Sequence, residues 1–499
     1  MALTVAVIGA GPSGLTSVKS CLDEGLKPTC FESGPDIGGL WRFKEEPEPG
    51  RANIYQSVII NTSKEMMTFS DLPPPAHLPN NMHHSEVLLY LRLYAQSFNL
   101  LKHIRFKVGA SQTRQAKSEI KKDWVNFEVV CTLQPPVVFH SWEYRSPEGL
   151  QGKRVIVVGM GNSGSDIAVD ISPVAEKVYL STRSGAWVVG RVGPGGLPRD
   201  LIGNSRIDGL KRKLFLSRVN QMTEKKLNRY FDHRLYGIKP KHSFYAQIPV
   251  VNDDLPSRII SGRVEVKPNL KCFSGSDAIF DDGTIVHKVD VVVFATGYNY
   301  SFPFLPPDLQ GKCGPGPLHR LYRHVFALGL TSPTLAVVGL IDGLGAVNLL
   351  AELQARWATR VFKGLISLPT QEAMMEDIKR ERAKRCKRFT DGKKNPLLVD
   401  VLPYMDSLAV EAGLAWHVLL GPCTPYQYRL IGPGKWDGAR RAILTQWERV
   451  HQPFRSRQAE SGLPTAMISY GLIGLLTGAT ILTFCFYKNL HLNMSCFFS

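Results

Sequence analysis

The sequence predicts an α/β protein with two Rossmann-like domains and a C-terminal transmembrane helix. Two stretches, 4–32 and 154–183, each combine an apolar strand run, the spacing G-x-G-x-x-G, a helical segment and a second apolar run. This is the pattern of a dinucleotide-binding unit. A third stretch, 466–487, holds 22 residues without a charge. Since about 20 apolar residues suffice for a helix to cross a bilayer, this stretch qualifies as a membrane span.

Composition narrows the class of protein. The chain has 499 residues, enough for two or three domains, and 44% hydrophobic content, which is ordinary for a globular protein. A net charge of +17 suits anionic ligands or an anionic membrane surface. No nucleic-acid-binding motif accompanies it, so no nucleic-acid partner is expected. Nine cysteines without C-x-x-C spacing argue against a disulfide framework or a metal site and indicate a reducing, cytosol-facing environment.

The first glycine unit carries an acid at its far end. Gly9, Gly11 and Gly14 supply the tight turn, and Glu32 closes the second strand, 21 residues after Gly11. A carboxylate in that place binds the ribose of a dinucleotide. We therefore expect this unit to bind FAD.

The second glycine unit lacks the acid. Thr182 lies 21 residues after Gly161, and Arg183 follows it. An arginine at this place suits a 2′-phosphate, which favours NADP(H) over NAD(H). The two units are therefore expected to bind two different dinucleotides.

Four further stretches bear on the site. In 38–43, a glycine pair permits close backbone approach and Trp41 either covers a ring system or packs in an ordinary turn. Polar residues 61–63 follow an apolar strand, a place that commonly faces the ligand crevice. The runs 289–298 and 334–340 predict buried strands, and the first is expected to return to the sheet of the first unit.

The predicted domain order follows from these units. Residues 1–148 form the first part of the FAD-binding domain, 149–288 the NADP-binding domain, and 289–457 the rest of the FAD domain with a C-terminal region. Segment 466–487 is expected to be a transmembrane tail anchor because it follows a polar linker at the end of the chain. The alternative for this segment is a buried core helix.

These features together resemble the vertebrate flavin-containing monooxygenases. The resemblance rests on motifs spread over most of the chain: GAGPSG, GGLWRF, NTSKEMM, GMGNSGSDIA, STRSGAW, NDDLPSRI, FATGY, LQARW and GPGKWDGAR. It implies that the protein uses FAD, NADPH and O2. The implied reaction proceeds through a C4a-hydroperoxyflavin and is either the oxygenation of soft nitrogen or sulfur nucleophiles or the Baeyer–Villiger oxidation of ketones. It also implies an endoplasmic reticulum membrane protein with its catalytic domain facing the cytosol. Oligomerisation is left open.

The resemblance also assigns site residues. Asn61 is implied as the catalytic residue that hydrogen-bonds the flavin peroxide or the nicotinamide, and Arg183 with Arg191 as the pair for the 2′-phosphate. The implied cofactor-binding residues are Gly9, Ala10, Gly11, Pro12, Ser13, Gly14, Glu32, Leu40, Trp41, Ile60, Asn61, Thr62, Gly159, Gly161, Asn162, Ser163, Gly164, Ser165, Asp166, Arg183 and Arg191. No metal is implied.

The sequence departs from the family at 129–140. Of the signature F-x-G-x-x-x-H-x-x-x-[YF], His140 and Tyr144 are present, but Gln134 and Pro136 stand where the Phe and Gly belong. A block that links the two dinucleotide domains is therefore expected to be missing. Loss of a central strand would leave unpaired backbone groups and exposed apolar surface.

Two alternatives compete with a monooxygenase. A pyridine-nucleotide disulfide reductase shares the fold but requires a redox-active cysteine pair near the flavin, and the sequence has none. A membrane-anchored flavoprotein that binds nucleotides without turnover is the other alternative, because the linker between the domains is shortened.

Overall fold

The computed structural model describes residues 3–48, 51–108, 129–130, 136–298, 300, 302, 304–305, 321–345, 347–390, 392, 395–414 and 421–455. The chain divides into two units, Met1–Val450 and His451–Ser499. In the second unit the described residues are 451–455, which include the 3₁₀ helix Gln452–Phe454. The sheets and sites below belong to the first unit.

The strands in chain order are β1 Thr4–Ile8, β2 Lys27–Phe31, β3 Ile104–Arg105, β4 Val129–Val130, β5 Val137–His140, β6 Arg154–Val158, β7 Lys177–Ser181, β8 Val188–Val189, β9 Val250–Val251, β10 Val264–Lys267, β11 Leu270–Ser274, β12 Asp277–Phe280, β13 Ile285–Val286, β14 Val291–Phe294, β15 Leu321–Tyr322, β16 Phe326–Ala327, β17 Asp342–Gly343 and β18 Leu398–Val399. The helices are α1 Pro12–Asp23, α2 Lys64–Met67, α3 His84–Ser97, α4 Asn162–Ile171, α5 Arg199–Ile202, α6 Arg206–Tyr230, α7 Leu255–Ile260, α8 Val347–Phe362, α9 Gln371–Arg388, α10 Val401–Glu411, α11 Ala439–Leu444 and α12 Gln446–His451. Further 3₁₀ helices are Gly39–Trp41, Leu101–His103, Pro194–Gly196, Phe244–Ala246 and Pro425–Arg429.

The first glycine unit forms a small parallel sheet in the order β1-β2-β3. Helix α1 packs against β1 and β2 and also against α8. Leu15 and Val18 of α1 are fully buried, because apolar residues three apart lie on one face of a helix. The predicted strand–turn–helix–strand order of this unit is confirmed.

The second glycine unit lies in a five-stranded parallel sheet in the order β10-β7-β6-β14-β5. Valine-rich strands suit its centre, since β-branched side chains pack well on a pleated surface. All four residues of β14 are buried. The predicted strand–turn–helix–strand order is confirmed here too, with α4 between β6 and β7.

The prediction that 289–298 returns to the first sheet is wrong. Strand β14 pairs in parallel with β6, with Val291 opposite Val155 and Phe294 opposite Val158. An apolar run predicts a buried strand, but it does not tell which of two similar sheets receives it. Because β5 and β14 both join the second sheet, that sheet extends beyond 149–288 at both ends. The division into domains remains a prediction.

A mixed four-stranded sheet in the order β13-β12-β11-β4 contains the hairpin β12–β13 and packs on the five-stranded sheet. In the C-terminal region, helices α8, α9 and α10 share one hydrophobic core, which includes the fully buried Trp357 of α8. The predicted strand at 334–340 is not formed: Ala336 makes one isolated bridge to Phe326.

The transmembrane prediction falls outside the described residues, which end at 455. Among the helices that the structure describes, none has the length and apolar character needed to cross a bilayer.

Candidate functional site: two glycine cradles and the loop between them

The first glycine turn is shaped so that only glycine fits. Gly9 has a φ of +92°, and a Cβ on Gly14 would lie 1.8 Å from the Gly9 carbonyl oxygen. A Cβ on Gly39, in the GGLW stretch, would lie 3.0 Å from the Gly11 Cα. At these glycines, backbone atoms lie where a side chain would otherwise stand, close to the start of α1. The free N–H groups at the start of a helix attract phosphate.

Glu32 lies at this turn. Its side chain is buried, and its carboxylate accepts hydrogen bonds from the Ala10 N–H at 2.8 Å and the Gly34 N–H at 2.7 Å. The Ser33 hydroxyl donates a third, longer bond to Glu32 at 3.3 Å. An ionised carboxylate has about four acceptor sites, so these three bonds leave capacity for a ribose hydroxyl. Beside the turn, Trp41 packs partly buried on the core while Leu40 is exposed.

Sequence reasoning missed one residue of this cradle. A Cβ on Gly339, whose φ is +85°, would lie 2.2 Å from the Ser13 Oγ. The contact joins the C-terminal region to the first glycine turn. A glycine after an apolar run was its signal in the sequence, but the partner lies far away in the chain.

The second glycine turn repeats the geometry of the first. Gly159 has a φ of +108°, and a Cβ on Gly164 would lie 1.9 Å from the Gly159 carbonyl oxygen. A Cβ on Gly159 would also lie 2.4 Å from the Ala295 carbonyl oxygen, so β14 presses against the turn. Gly161 faces open space at the start of α4.

Residues 162–166 divide between the open side and the interior. The Asn162 Oδ1 accepts the Val251 N–H at 2.8 Å. Asp166 accepts the Tyr55 hydroxyl at 2.6 Å and the Asn252 side-chain amide at 2.7 Å, and burial raises the pKa of its carboxyl. Ser165 is fully buried, whereas Ser163 is partly exposed. Asp166 and Ser165 thus face protein, and Ser163 lies toward the open side.

Arg183 is exposed and, in the described ranges, its guanidinium makes no hydrogen bond or ion pair. Thr182 beside it accepts the Gly185 N–H at 3.0 Å through its hydroxyl. An unpaired arginine that follows the second strand of this unit is free to meet an anionic group.

Arg191, by contrast, is already engaged. Its guanidinium pairs with Asp253 at 2.9 Å, donates to the Ile60 carbonyl at 3.2 Å and donates to the Asn61 Oδ1 at 2.8 Å. Its side chain is only 14% exposed. Arg191 therefore fixes the loop that carries Asn61.

A second contact holds the same loop. Both the backbone N–H and the hydroxyl of Ser63 donate to the Asp200 carboxylate, at 2.7 and 3.0 Å. Burial raises the pKa of Asp200, although the Ser63 donors favour its charged form. Asn81 completes the loop by donating to the carbonyls of Ile60 and Thr62 at 3.3 and 3.1 Å.

Two buried charged residues, Lys64 and Glu65, anchor the chain that directly follows the Asn61 loop. The Lys64 ammonium donates to the carbonyls of Ala76 and Leu78 at 2.7 and 2.6 Å, and burial lowers its pKa to about 8. Glu65 is fully buried and accepts two bonds from Arg449, at 2.9 and 2.8 Å. The segment is therefore anchored at successive residues.

Neither Asp200 nor Asp253 was singled out from the sequence as a site residue. Asp253 lies in the NDDLPSRI stretch, so the family resemblance contained a signal for it. Asp200 lies in α5, a helix of four residues without a motif. Its role follows from a contact over 137 positions of sequence.

The cysteines that the structure describes form no redox pair. Cys30 lies beside the first cradle and donates its S–H to the Gly9 carbonyl at 3.4 Å. Burial raises the pKa of Cys30 and of Cys21 to about 12, which keeps both thiols protonated. All cysteines that the structure describes are free: Cys21, Cys30, Cys272, Cys386 and Cys423.

Two cradles of one design, one ending in a buried acid and the other in a free arginine, define a flavoprotein of the two-dinucleotide class. A family model described as Flavin-binding monooxygenase-like matches residues 2–134 and 135–488. The chain belongs to the flavin-containing monooxygenase family. Its cofactors are accordingly FAD and NADP(H).

Relatives agree with this membership. The chain is 47% identical to human flavin-containing monooxygenase 5, over 91% of this chain and 94% of the relative. It is 44% identical to dimethylaniline monooxygenase [N-oxide-forming] 2 of Pan troglodytes, over 92% and 94% of the two chains. The two family-model matches meet between Gln134 and Pro135, within the 129–140 segment where a missing block is expected.

Solved structures share the fold at low identity. The S-allyl-L-cysteine S-oxygenase from Allium sativum aligns with a TM-score of 0.59 at 21% identity, covering 91% of this chain and 94% of that one. A cyclohexanone-bound cyclohexanone monooxygenase aligns with a TM-score of 0.57 at 17% identity, covering 82% and 98%.

Proposed function

We propose that this chain is an NADPH-dependent flavin monooxygenase that transfers one oxygen atom of O2 to a soft nitrogen or sulfur nucleophile, or to a ketone in a Baeyer–Villiger reaction. Substrate, O2, NADPH and a proton then give the oxygenated product, NADP⁺ and water. One observation carries the proposal: the first cradle ends in a buried Glu32, whereas Thr182 stands at the equivalent place of the second cradle and is followed by the exposed, unpaired Arg183. The N-oxide-forming name of a relative at 44% identity supports nitrogen nucleophiles.

Bound FAD would supply the hydride-accepting and oxygen-activating chemistry, and the protein would bind, orient and shield it. The first cradle fits this cofactor. Its backbone is open at Gly9 for a pyrophosphate, and the Glu32 carboxylate keeps free acceptor capacity for a ribose.

The second cradle fits NADPH. Gly161 faces open space at the N-terminus of the ten-residue helix α4, where a pyrophosphate is favoured by free N–H groups and the helix dipole. The guanidinium of Arg183 is the group for the 2′-phosphate. Arg191 is assigned a different role, because Asp253 and Asn61 already occupy its donors.

Asn61 is the proposed catalytic residue, and Arg191 orients it. A guanidinium has donors and no acceptor, so only the oxygen of the Asn61 amide can face Arg191. The amide nitrogen must then point the other way, and in the described ranges it has no acceptor. We assign this N–H₂ group as the hydrogen-bond donor to the reacting groups of the bound cofactors.

The test is the cofactor preference of Arg183→Ala. Loss of an exposed charge opposite a phosphate is expected to raise the KM for NADPH about tenfold and to leave the KM for NADH unchanged. The matched control is Arg234→Ala, an exposed arginine of the same unit whose side chain is 72% exposed. Equal changes for both cofactors would refute the 2′-phosphate role of Arg183.

A second candidate function is nucleotide binding without turnover. One observation favours it: strand β1, which carries the first cradle, is an edge strand of its sheet in the described structure. NADPH oxidation by the purified, FAD-loaded chain separates the two functions. Bound FAD with no NADPH oxidation would favour the second.

We further propose that 466–487 anchors the chain in the endoplasmic reticulum membrane, with the catalytic unit on the cytosolic side. Its 22 residues carry no charge, as a spanning helix requires. Alkaline carbonate extraction tests this proposal. Membranes are extracted from cells that produce the full chain and from cells that produce a chain ending at residue 457. The full chain should stay in the membrane and the shortened chain should not; equal extraction would contradict the proposal.

A further inference from the structure

Gly339 borders the first glycine turn on the side of Ser13. It has a φ of +85°, and a Cβ built on it would lie 2.2 Å from the Ser13 Oγ and 3.2 Å from the Ser13 Cβ. The Ser13 hydroxyl therefore occupies the space that a side chain at this position would fill. Because the hydroxyl packs directly on the Gly339 backbone, the contact limits the rotamers that Ser13 can adopt.

Ser13 is placed to meet a phosphate. It is the second residue of α1, where the backbone N–H groups have no partner within the helix. Its side chain is partly exposed, and its hydroxyl makes no hydrogen bond in the part of the chain that the structure describes. A hydroxyl held in one rotamer beside these N–H groups offers the FAD pyrophosphate a further hydrogen-bond donor.

One buried side chain holds Gly339 in this place. The Gly339 N–H donates to the Oε1 of Gln354 at 2.7 Å. Gln354 lies in α8, within the LQARW stretch, and is fully buried. Segment 334–340 makes one isolated bridge in place of a strand, so Gln354 supplies an acceptor that a neighbouring strand would otherwise give.

The orientation of the Gln354 amide is fixed by its partners. Its N–H₂ group donates to the Tyr404 hydroxyl at 2.8 Å, and that hydroxyl donates to the Arg323 carbonyl at 2.7 Å. A flipped amide would turn its N–H₂ group toward the Gly339 N–H, so that two donors would face each other. The amide oxygen of Gln354 therefore faces Gly339.

The helix that carries Gln354 is anchored to the first unit. Helix α8 packs against α1. Elsewhere on α8, the Asn348 side chain donates to the Met67 carbonyl at 2.7 Å, and the Glu352 carboxylate accepts the Ser70 N–H at 2.7 Å. A side chain on a helix held in this way positions its partner more precisely than one on a loop.

We propose that Gln354 is a positioning residue for FAD: it holds Gly339 against Ser13 and so orients the Ser13 hydroxyl toward the cofactor pyrophosphate. This role rests on the proposed function, in which the first cradle binds FAD. It differs from core packing, because both polar groups of the buried amide are used. An apolar side chain of the same size would fill the space but would leave the Gly339 N–H without an acceptor.

The dissociation constant of FAD tests the proposal. The purified full chain, loaded with FAD, is diluted in steps, and the released flavin is measured by its fluorescence. Gln354→Met fills the same space without a strong acceptor and should raise the Kd about tenfold, since one charge-assisted hydrogen bond to the phosphate loses its fixed geometry. Gln354→Glu keeps an oxygen facing Gly339 and should bind FAD as tightly as the parent chain, although a buried carboxylate lowers stability.

Further variants separate positioning from packing. Thr359→Val is the matched control, because Thr359 is a buried residue of α8 whose hydroxyl donates to the Ala355 carbonyl at 3.0 Å; it should leave the Kd unchanged. Ser13→Ala should raise the Kd about tenfold, and adding Gln354→Met should raise it no further, since both changes act on the same hydroxyl. If Gln354→Met yields no folded chain, Gln354→Asn replaces it, because its amide is one methylene too short to reach Gly339.

Three outcomes would overturn the proposal alone, with FAD bound to the parent chain. They are an unchanged Kd for Gln354→Met, a tenfold rise for Gln354→Glu, and effects of Gln354→Met and Ser13→Ala that multiply. A parent chain that binds no FAD would overturn the proposed function as well.

Discussion

Replacing Arg191 with methionine should remove the hydrogen bond that orients the Asn61 amide. Methionine keeps much of the side-chain length but has no donor, so the bonds to Asn61, Ile60 and Asp253 are all lost. The Asn61 amide is then free to rotate, and its N–H₂ group no longer points toward the cofactors for most of the time.

The size of the effect follows from two contacts of different quality. The bond from Arg191 to the Asn61 Oδ1 is 2.8 Å long, with the arginine 14% exposed; bonds to a charged donor contribute about 1.5–3 kcal/mol. The ion pair with Asp253 is more exposed, at 35% for the aspartate, and contributes about 1 kcal/mol or less. Since about 1.4 kcal/mol is tenfold, Arg191→Met should lower kcat/KM roughly 10- to 100-fold.

A double-mutant cycle isolates the part that acts through Asn61. The values of kcat/KM are measured for the parent chain, Arg191→Met, Asn61→Ala and the double variant. If Arg191 acts by orienting Asn61, it should cost little once Asn61 is alanine, which gives a coupling energy of about 2 kcal/mol. Arg234→Met, at an exposed arginine, should cost nothing in either background. Additive effects of Arg191→Met and Asn61→Ala would refute the orienting role.

Three further predictions concern the framework of the site. Gly14→Ala places a Cβ 1.8 Å from the Gly9 carbonyl, so the FAD content of the purified chain should fall more than about tenfold; normal content would contradict the geometry of the turn. Arg449→Met leaves the buried Glu65 without its charged partner and should lower the free energy of unfolding by about 3–5 kcal/mol in urea titrations, with part regained on adding Glu65→Leu. His233 is buried and accepts the Val188 N–H, and burial lowers its pKa from 6.5 to about 4. The unfolded chain therefore takes up the proton first, so stability should fall by up to about 3 kcal/mol as the pH drops from 6.5 to about 4, and His233→Gln should flatten this dependence.

The sequence predicted well what depends on local pattern. Both glycine units follow from short-range features: strand runs, glycines at fixed spacing and a helix start within 30 residues. The contrast between Glu32 and Arg183 could be drawn from their spacing alone, and it still carries the proposed function.

Long-range placement could not be predicted in this way. Which sheet the strand in 289–298 joins depends on which sheet edge is free, and β14 pairs with β6 rather than with β1. Likewise, 334–340 has strand-forming residues but makes one isolated bridge in place of a strand, from Ala336 to Phe326. The contact of Asp200 with Ser63 joins helix α5 to the loop that carries Asn61 through one carboxylate, and no periodicity marks such a residue.

Reduction of the bound flavin by NADPH tests the central claim most directly. The purified full chain, loaded with FAD, is mixed with NADPH or NADH without oxygen while the flavin absorbance is followed. The flavin should bleach with NADPH much faster than with NADH, and admission of O2 with a tertiary amine or thioether should then yield the oxygenated product by mass spectrometry. A chain that keeps FAD bound but whose flavin absorbance NADPH leaves unchanged would contradict it.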